Sequence, residues 1–160
     1  EELSFASYDV ADFSYNAKKD VLPEVEEQLK LTVSNYATVS GRRFFVVPNL
    51  MSRSGSKSFN ADERKCDFVF GYAYRDVDSI EVDIPADYQV EAMPQPVNLK
   101  TVYGNYQFEA KVDGARIRYY RKMERFSGRF PAKEAALLAK FYEDVYKADR
   151  SRIVLVKKEG

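Results

Sequence analysis

Hydrophobic residues recur at every second position along much of this chain. Leu29, Leu31 and Val33 alternate with Gln28, Lys30, Thr32 and Ser34, and Cys66, Phe68, Phe70, Tyr72 and Tyr74 share a second alternating face. A period of two sends one set of side chains to one side of a strand, so each segment predicts a β-strand with one face for a core. Further strands are predicted at Ser7 to Tyr15, Arg43 to Val47, Ser79 to Ile84 and Tyr88 to Met93, the last two separated by Pro85, which cannot donate in a ladder. The stretch from Asn49 to Asp62, containing SRSGSKS, predicts a flexible loop.

Two turn signals organise the stretch from Val97 to Phe126 into three strands. Asp113-Gly114 predicts a two-residue type I′ hairpin, pairing Val112 with Ala115, Ala110 with Ile117, Phe108 with Tyr119 and Glu109 with Arg118. Gly104-Asn105 predicts a second turn, pairing Tyr103 with Tyr106, Thr101 with Phe108 and Lys100 with Glu109, so that Lys100, Glu109 and Arg118 form one cross-strand row. A slip of one residue would put Phe108 and Tyr119 on opposite faces. Beyond this meander the period changes. Pro131 suits the first turn of a helix, Glu134 suits its dipole, and Ala135, Leu138, Phe141, Tyr142 and Val145 fall on one helical stripe up to about Ala148. Asp149 to Arg152 reads as a polar connection and Ile153 to Val156 as a buried strand. The expected fold is mainly β: a single domain over residues 1–160, an antiparallel β-sandwich of about eight to ten strands with one C-terminal helix packed on a sheet.

Composition agrees with a soluble β domain. The 160 residues include 12 Tyr and 11 Phe but no Trp, and aromatic residues favour pleated, half-buried surfaces. Lys and Arg number 25, as do Asp and Glu, so no net field draws the chain to nucleic acid or an anionic membrane. No apolar run is long enough to span a bilayer, and EELSFASYDV lacks the basic and apolar regions of a signal peptide. The absence of an initial Met leads us to expect part of a longer protein. With no His and a single cysteine, Cys66, the composition excludes Ser-His-Asp and Cys-His nucleophiles and His-built zinc sites.

Several constellations invite a functional reading, and each has a simpler one. Arg116, Arg118, Arg121, Lys122, Arg125 and Arg129, interleaved with Tyr119, Tyr120 and Phe126, have the makings of a basic-aromatic nucleic-acid surface. Alternation instead sends Arg116, Arg118 and Lys122 to one face and Arg121 and Arg125 to the other, which favours a solvated charged strand. Cys66 alternates with inward aromatics and has no His to activate it, so a packed core thiol is expected. Asp76, Asp78, Glu81 and Asp83 could ligate calcium but lack the Gly turn and closing Glu of an EF-hand loop. Glu24, Glu26 and Glu27 read as a solvated strand edge. The tyrosines could stack on sugar rings, although most fall at core positions. No catalytic, cofactor-binding or metal-ligating residue is assigned, and no cofactor is expected.

From Asp62 onward the chain resembles a known family. ADERKCDFVF, IEVDIPADYQVEAMPQPV, GNYQFEAKVDG and FYEDVYKADRSRIVLVKK occur in the order found in the C-terminal β-rich domain of unknown function that follows the transglutaminase-like domain in cell-envelope proteins of Gram-negative anaerobes. The matching positions are Arg64, Ile84-Pro85, Tyr88, Val90-Glu91, Pro94 and Ile153 to Lys157, and the resemblance is strongest over residues 62–158. Residues 1–61, with LKLTVSNYATVSGRRFFVVPNLM, are similar to the region linking the enzyme core to this domain. The resemblance implies a noncatalytic accessory or interaction domain of an exported transglutaminase-like or protease-like protein, located in the periplasm or cell envelope. Its implied partner is the transglutaminase-like domain upstream in the same polypeptide. None of that domain's Cys, His and Asp motif is present here, so no catalytic residue carries over. The alternative function is a glycan-binding module of the cell envelope, and a cryptic hydrolase built on Asp and Glu alone is a third. An apolar patch beside the N-terminus would favour the first, and an excess of exposed Tyr on one sheet face the second.

Overall fold

The structure, a computed structural model, describes residues 7–55 and 64–159, which fall into two compact units divided after Thr38. The first holds an antiparallel hairpin of β1 (Tyr8–Lys18) and β2 (Glu24–Val33). Tyr8 pairs with Val33, Val10 with Leu31, Phe13 with Leu29 and Ala17 with Val25. Val10 and Phe13 are three residues apart, and alternation alone would put them on opposite faces. A register shift at Ala11 restores the match, so the apolar side chains of both strands stay together.

The second unit contains β3 (Thr38–Ser40), β4 (Arg43–Val46), β5 (Phe68–Phe70), β6 (Tyr74–Asp83), β7 (Tyr88–Ala92), β8 (Val97–Lys100), β9 (Gly104–Asp113), β10 (Arg116–Arg125), β11 (Gly128–Phe130), helix α1 (Ala135–Ala148) and β12 (Ile153–Lys157). One four-stranded sheet has the order β6-β10-β9-β8, a second has β3-β4-β12-β7, and β11 pairs with β5. The pairings β6–β10, β10–β9, β9–β8, β5–β11, β4–β12 and β12–β7 are antiparallel. The fold is therefore the expected mainly-β antiparallel sandwich with one C-terminal helix packed on a sheet. Pro85 lies where the chain passes from β6 in one sheet to β7 in the other, a place where a missing N–H costs nothing to a ladder.

Helix α1 follows a single 3₁₀ turn over Ala132–Glu134 and buries Ala135, Leu138, Phe141 and Val145, the stripe its period predicts. Phe141, Val145 and Ala148 pack on Tyr106 and Phe108 of β9 and Tyr119 and Met123 of β10. A second cluster joins Leu138 and Ala135 to Phe68 and Tyr103. Each Leu, Val, Phe and Met side chain among them gives up roughly 1.5–3 kcal/mol of unfavourable exposure on burial.

Five expectations change. The strand expected from Cys66 to Tyr74 is broken at Gly71–Ala73, leaving the three-residue β5 and a separate β6, and Cys66 is exposed rather than a packed core thiol. The backbone bends ahead of β5, where Arg64 donates its Nε–H to the Cys66 carbonyl at 3.0 Å. The turn expected at Asp113-Gly114 lies one residue further on, which shifts the pairing by two: Asp113 pairs with Arg116, Val112 with Ile117 and Ala110 with Tyr119, so Gly114-Ala115 forms the loop. Gly114 has φ +60° and Ala115 does not share a positive φ, the pattern of a type II′ turn rather than I′. The other turn spans Thr101 to Val102-Tyr103-Gly104, pairing Lys100 with Asn105 and Leu99 with Tyr106. The predicted Lys100–Glu109–Arg118 row does not form, because Glu109 stands opposite Tyr120 and Arg118 opposite Lys111. Both displacements are even, so every side chain keeps its predicted face.

Two glycines separate the causes of this geometry. At Gly114 an added Cβ meets nothing, so Gly114→Val should cost only the strain of its positive φ, on the order of 1–3 kcal/mol. At Gly104 an added Cβ would lie 2.1 Å from the Glu124 carbonyl oxygen on the neighbouring strand, so Gly104→Ala should destabilise more despite its smaller side chain. Urea denaturation of the two variants checks the order.

Candidate functional site

The centre of β10 carries a charge on its core-facing side. Ile117, Tyr119, Arg121 and Met123 alternate inward, and Arg121 is 3% exposed. Burial alone would lower its pKa, but the hydrogen bonds and charge of Asp149 outweigh that and hold the guanidinium above its ordinary range. Arg121 donates Nε–H to Asp149 Oδ1 at 2.7 Å, Nη2–H to Asp149 Oδ2 at 3.4 Å and Nη1–H to Asp78 Oδ2 at 3.0 Å. Asp149 Oδ1 also accepts from the Tyr106 hydroxyl at 2.9 Å and from Asn49 Nδ2 at 3.0 Å, while Oδ2 accepts the Ser54 backbone N–H at 2.8 Å. Ser52 donates its hydroxyl to Asp78 Oδ1 at 2.7 Å, and Arg53 donates Nε–H to the Asn49 carbonyl at 2.7 Å.

These groups correct two expectations. Arg121 is not part of a solvated charged strand, and Asp149, read as polar connection, is fully enclosed at the C-terminal end of α1. The described half of the Asn49–Asp62 loop is pinned by Asn49, Ser52 and Ser54, and its remainder lies outside the described residues. The signal available in the sequence was the inward parity of Arg121, since a charge on a core face demands a buried counter-charge. The cluster joins one base to two acids with every carboxylate oxygen occupied by donors, which is the arrangement of a structural brace.

The remaining candidates are spread over the surface. Arg116 pairs with Asp83 at 2.7 Å and Glu81 at 3.2 Å, Arg118 with Glu81 at 3.3 Å and Asp113 at 3.1 Å, and Lys122 with Glu124 at 3.1 Å. Arg129 pairs with Asp67 at 3.4 Å. The four β6 acids are divided by alternation, Asp76 and Asp78 on one face and Glu81 and Asp83 on the other. Among the described residues no group of three or more Asp, Glu, Cys or His side chains is placed to hold a metal ion. Glu24, Glu26 and Glu27 are exposed along β2. Tyr103, Tyr106 and Tyr119 are buried, whereas Tyr8 and Tyr15 on β1, Tyr72 between β5 and β6, and Tyr120 on β10 are exposed.

Arg125 is set differently. Its guanidinium lies 4.6, 4.7 and 5.1 Å from the ring centres of Tyr74, Tyr72 and Phe70, and its Nη2–H reaches the Tyr72 carbonyl at 3.3 Å. Its Nε is buried with no hydrogen-bond partner among the described residues. The positions that carry the family resemblance are structural as well. Arg64 lies over Phe68 at 4.0 Å, Tyr88 stacks on Phe44 at 4.5 Å, and Glu91 accepts two hydrogen bonds from Arg43 at 2.5 and 2.6 Å. An apolar cleft of about 570 Å³ lies between β8, the turn after it and α1, lined by Leu99, Val102, Tyr103, Leu137 and Phe141 together with Lys100 and Lys140.

Removing one member of the central pair strands the other. Asp149→Ala and Arg121→Met should each cost about 3–5 kcal/mol, while Arg121→Met combined with Asp149→Leu should cost well below their sum. Urea denaturation of the three variants measures this; additive losses would show that the two charges do not interact. Burial and then Glu134 push the Tyr103 phenol up from 10.0 to about 12, and burial and Asp149 raise Tyr106 and Tyr119 as well. Each folded-state pKa lies above the unfolded one, so this contribution is complete below pH 10 and is lost as pH rises through the folded values. Melts at successive pH values should therefore show stability falling from about pH 10 upward, by less in Tyr103→Phe.

Comparison with known proteins places this geometry. No curated protein matches the sequence. A solved structure from Parabacteroides distasonis, named as that of a putative protease, superposes over 70% of this chain with a TM-score of 0.55 at 13% identity. The chain spans 23% of that protein's length, and at this identity the likeness is one of fold. The profile of DUF3858, a domain of unknown function with a solved structure, matches residues 42–155, from β4 to the middle of β12. With that match covering most of its length, the chain belongs to the DUF3858 family.

Proposed function

We propose that the chain is a noncatalytic accessory domain that packs against a transglutaminase-like or protease-like domain of a longer, exported polypeptide in the periplasm or cell envelope. The observation that carries the proposal is the apolar face of the β1–β2 hairpin. Val10, Phe13, Tyr15, Val25 and Leu29 are 40–65% exposed, and the pairing puts them on one side. A two-stranded hairpin is at best marginally stable alone in water, so such a face calls for a cover. The mixture of branched aliphatic and aromatic side chains suits a protein surface better than a sugar ring, which stacks on flat aromatic faces. The long neighbour with the same fold supports a companion domain, and the resemblance to cell-envelope proteins supports the location. The absence of His and the enclosure of Asp149 and Arg121 support a role without turnover.

Amide exchange and melting compare the chain alone with the chain joined to the preceding domain of its polypeptide. The β1 and β2 amides should exchange quickly alone and slowly when joined, and Phe13→Lys should lower the melting temperature only of the joined protein. If Phe13→Lys destabilises the chain equally when alone, the face is used internally and the packing role fails. Amidase, transglutaminase or glycosidase turnover by the isolated chain, persisting through repurification, would overturn the noncatalytic reading.

A further inference from the structure

Strand β8 is an edge of its sheet: it pairs with β9 on one side, and among the described residues no strand pairs with it on the other. The Thr101 N–H bonds the Gly104 carbonyl at 3.0 Å, which makes Thr101 and Gly104 a hydrogen-bonded pair of the ladder. Such pairs alternate with non-bonded ones in an antiparallel ladder. Leu99–Tyr106 and Val97–Phe108 are therefore bonded, whereas the backbone groups of Asn98 and Lys100 point away from β9. Two N–H and two C=O groups thus face outward, spaced two residues apart, with no hydrogen-bond partner among the described residues.

That open edge borders the cleft described above. Asn98 and Lys100 belong to its wall, α1 forms the opposite wall, and Val102 and Leu137 are 66% and 65% exposed beside it. The charges of the α1 wall are largely satisfied: Lys140 pairs with Asp144, and Glu134 accepts the Tyr103 hydroxyl at 2.9 Å. Lys100 has no carboxylate partner among the described residues.

We propose that this edge and cleft bind an extended segment of another polypeptide, which adds a strand to β8 by bonding Asn98 and Lys100. An apolar side chain of the segment enters between Leu99, Val102 and Leu137, and a carboxylate of the segment meets Lys100. Backbone groups at the strand repeat recognise a peptide main chain and the cleft beside them selects a side chain, the division of labour in strand addition. A second copy of this chain fits less well: β8 reads Val97-Asn98-Leu99-Lys100, with Pro96 before it, and offers no carboxylate to Lys100. The surface lies wholly within the second unit and is independent of the hairpin face.

The test selects binders to the whole chain from a randomised linear-peptide library displayed on phage and studies the enriched peptides in synthetic form. The expected peptides alternate apolar residues next to an acidic one and slow exchange of the Asn98 and Lys100 amides. Leu137→Glu, at an exposed helical position, should weaken them at least about tenfold with an unchanged melting temperature, and alternate backbone N-methylation of the peptide should abolish binding. A library that yields no binder, binders mapping elsewhere, or binders indifferent to N-methylation would overturn the proposal. Self-association that protects the same two amides without peptide would assign the edge to a second copy and overturn it equally.

Discussion

A single buried ion pair sets the geometry of the second unit. Arg121 projects from the middle of β10 into the core, and the carboxylate that meets it stands at the end of α1, 28 residues further along. An acid at a helix C-terminus opposes the helix dipole, so Asp149 is tolerable there only because a guanidinium and three further donors surround it. Taking both charges out of water is costly, and their attraction returns little more than that cost. What the pair contributes is position, because Arg121 keeps Asp78 of the neighbouring strand in any case, whereas Asp149 meets a guanidinium only with the helix end placed here. The last turn of α1 is thereby fixed against the centre of the sheet, and β12 begins four residues after Asp149, where the chain must enter the second sheet.

The same constraint explains why the described part of the loop after β4 is ordered without secondary structure. Asn49, Ser52 and Ser54 each satisfy an atom of the two acids that hold Arg121, so the loop is effectively a third wall around the charge. It also explains where the surface is left open. With its C-terminal end drawn to β10, the helix lies over Tyr106, Phe108 and Tyr119, and its first turns stand beside the β8 edge. The cleft follows from a helix located by its far end.

Faces were legible in the sequence, and partners were not. Period two fixes which side chains share a side of a strand, and it did so for Leu29 to Val33, for Tyr106 to Ala110 and for Ile117 to Met123. It cannot distinguish registers that differ by two, which is why turns assigned to Asp113-Gly114 and Gly104-Asn105 proved to be Gly114-Ala115 and the four-residue turn from Thr101. Cys66 was misplaced because the alternation extends back to it although β5 begins only at Phe68. Arg121 had the right parity to be recognised as buried, but its partners Asp149, Asp78 and Asn49 belong to three other segments. The family, by contrast, was recognisable from the order of short structural blocks, and the Glu91 and Tyr88 positions in those blocks serve contacts with β4.

The two surfaces proposed for interaction differ in a way that their physics makes consequential. The hairpin presents an apolar face spread across both of its strands, so contact there is non-directional and grows with the area covered, which suits a neighbour that never leaves. The β8 edge adds to its apolar cleft four backbone groups at fixed spacing that have no partner among the described residues, so contact there is directional and short, which suits a segment that comes and goes. On the proposed reading, these two kinds of surface would let the chain stay bound to one partner while reading another.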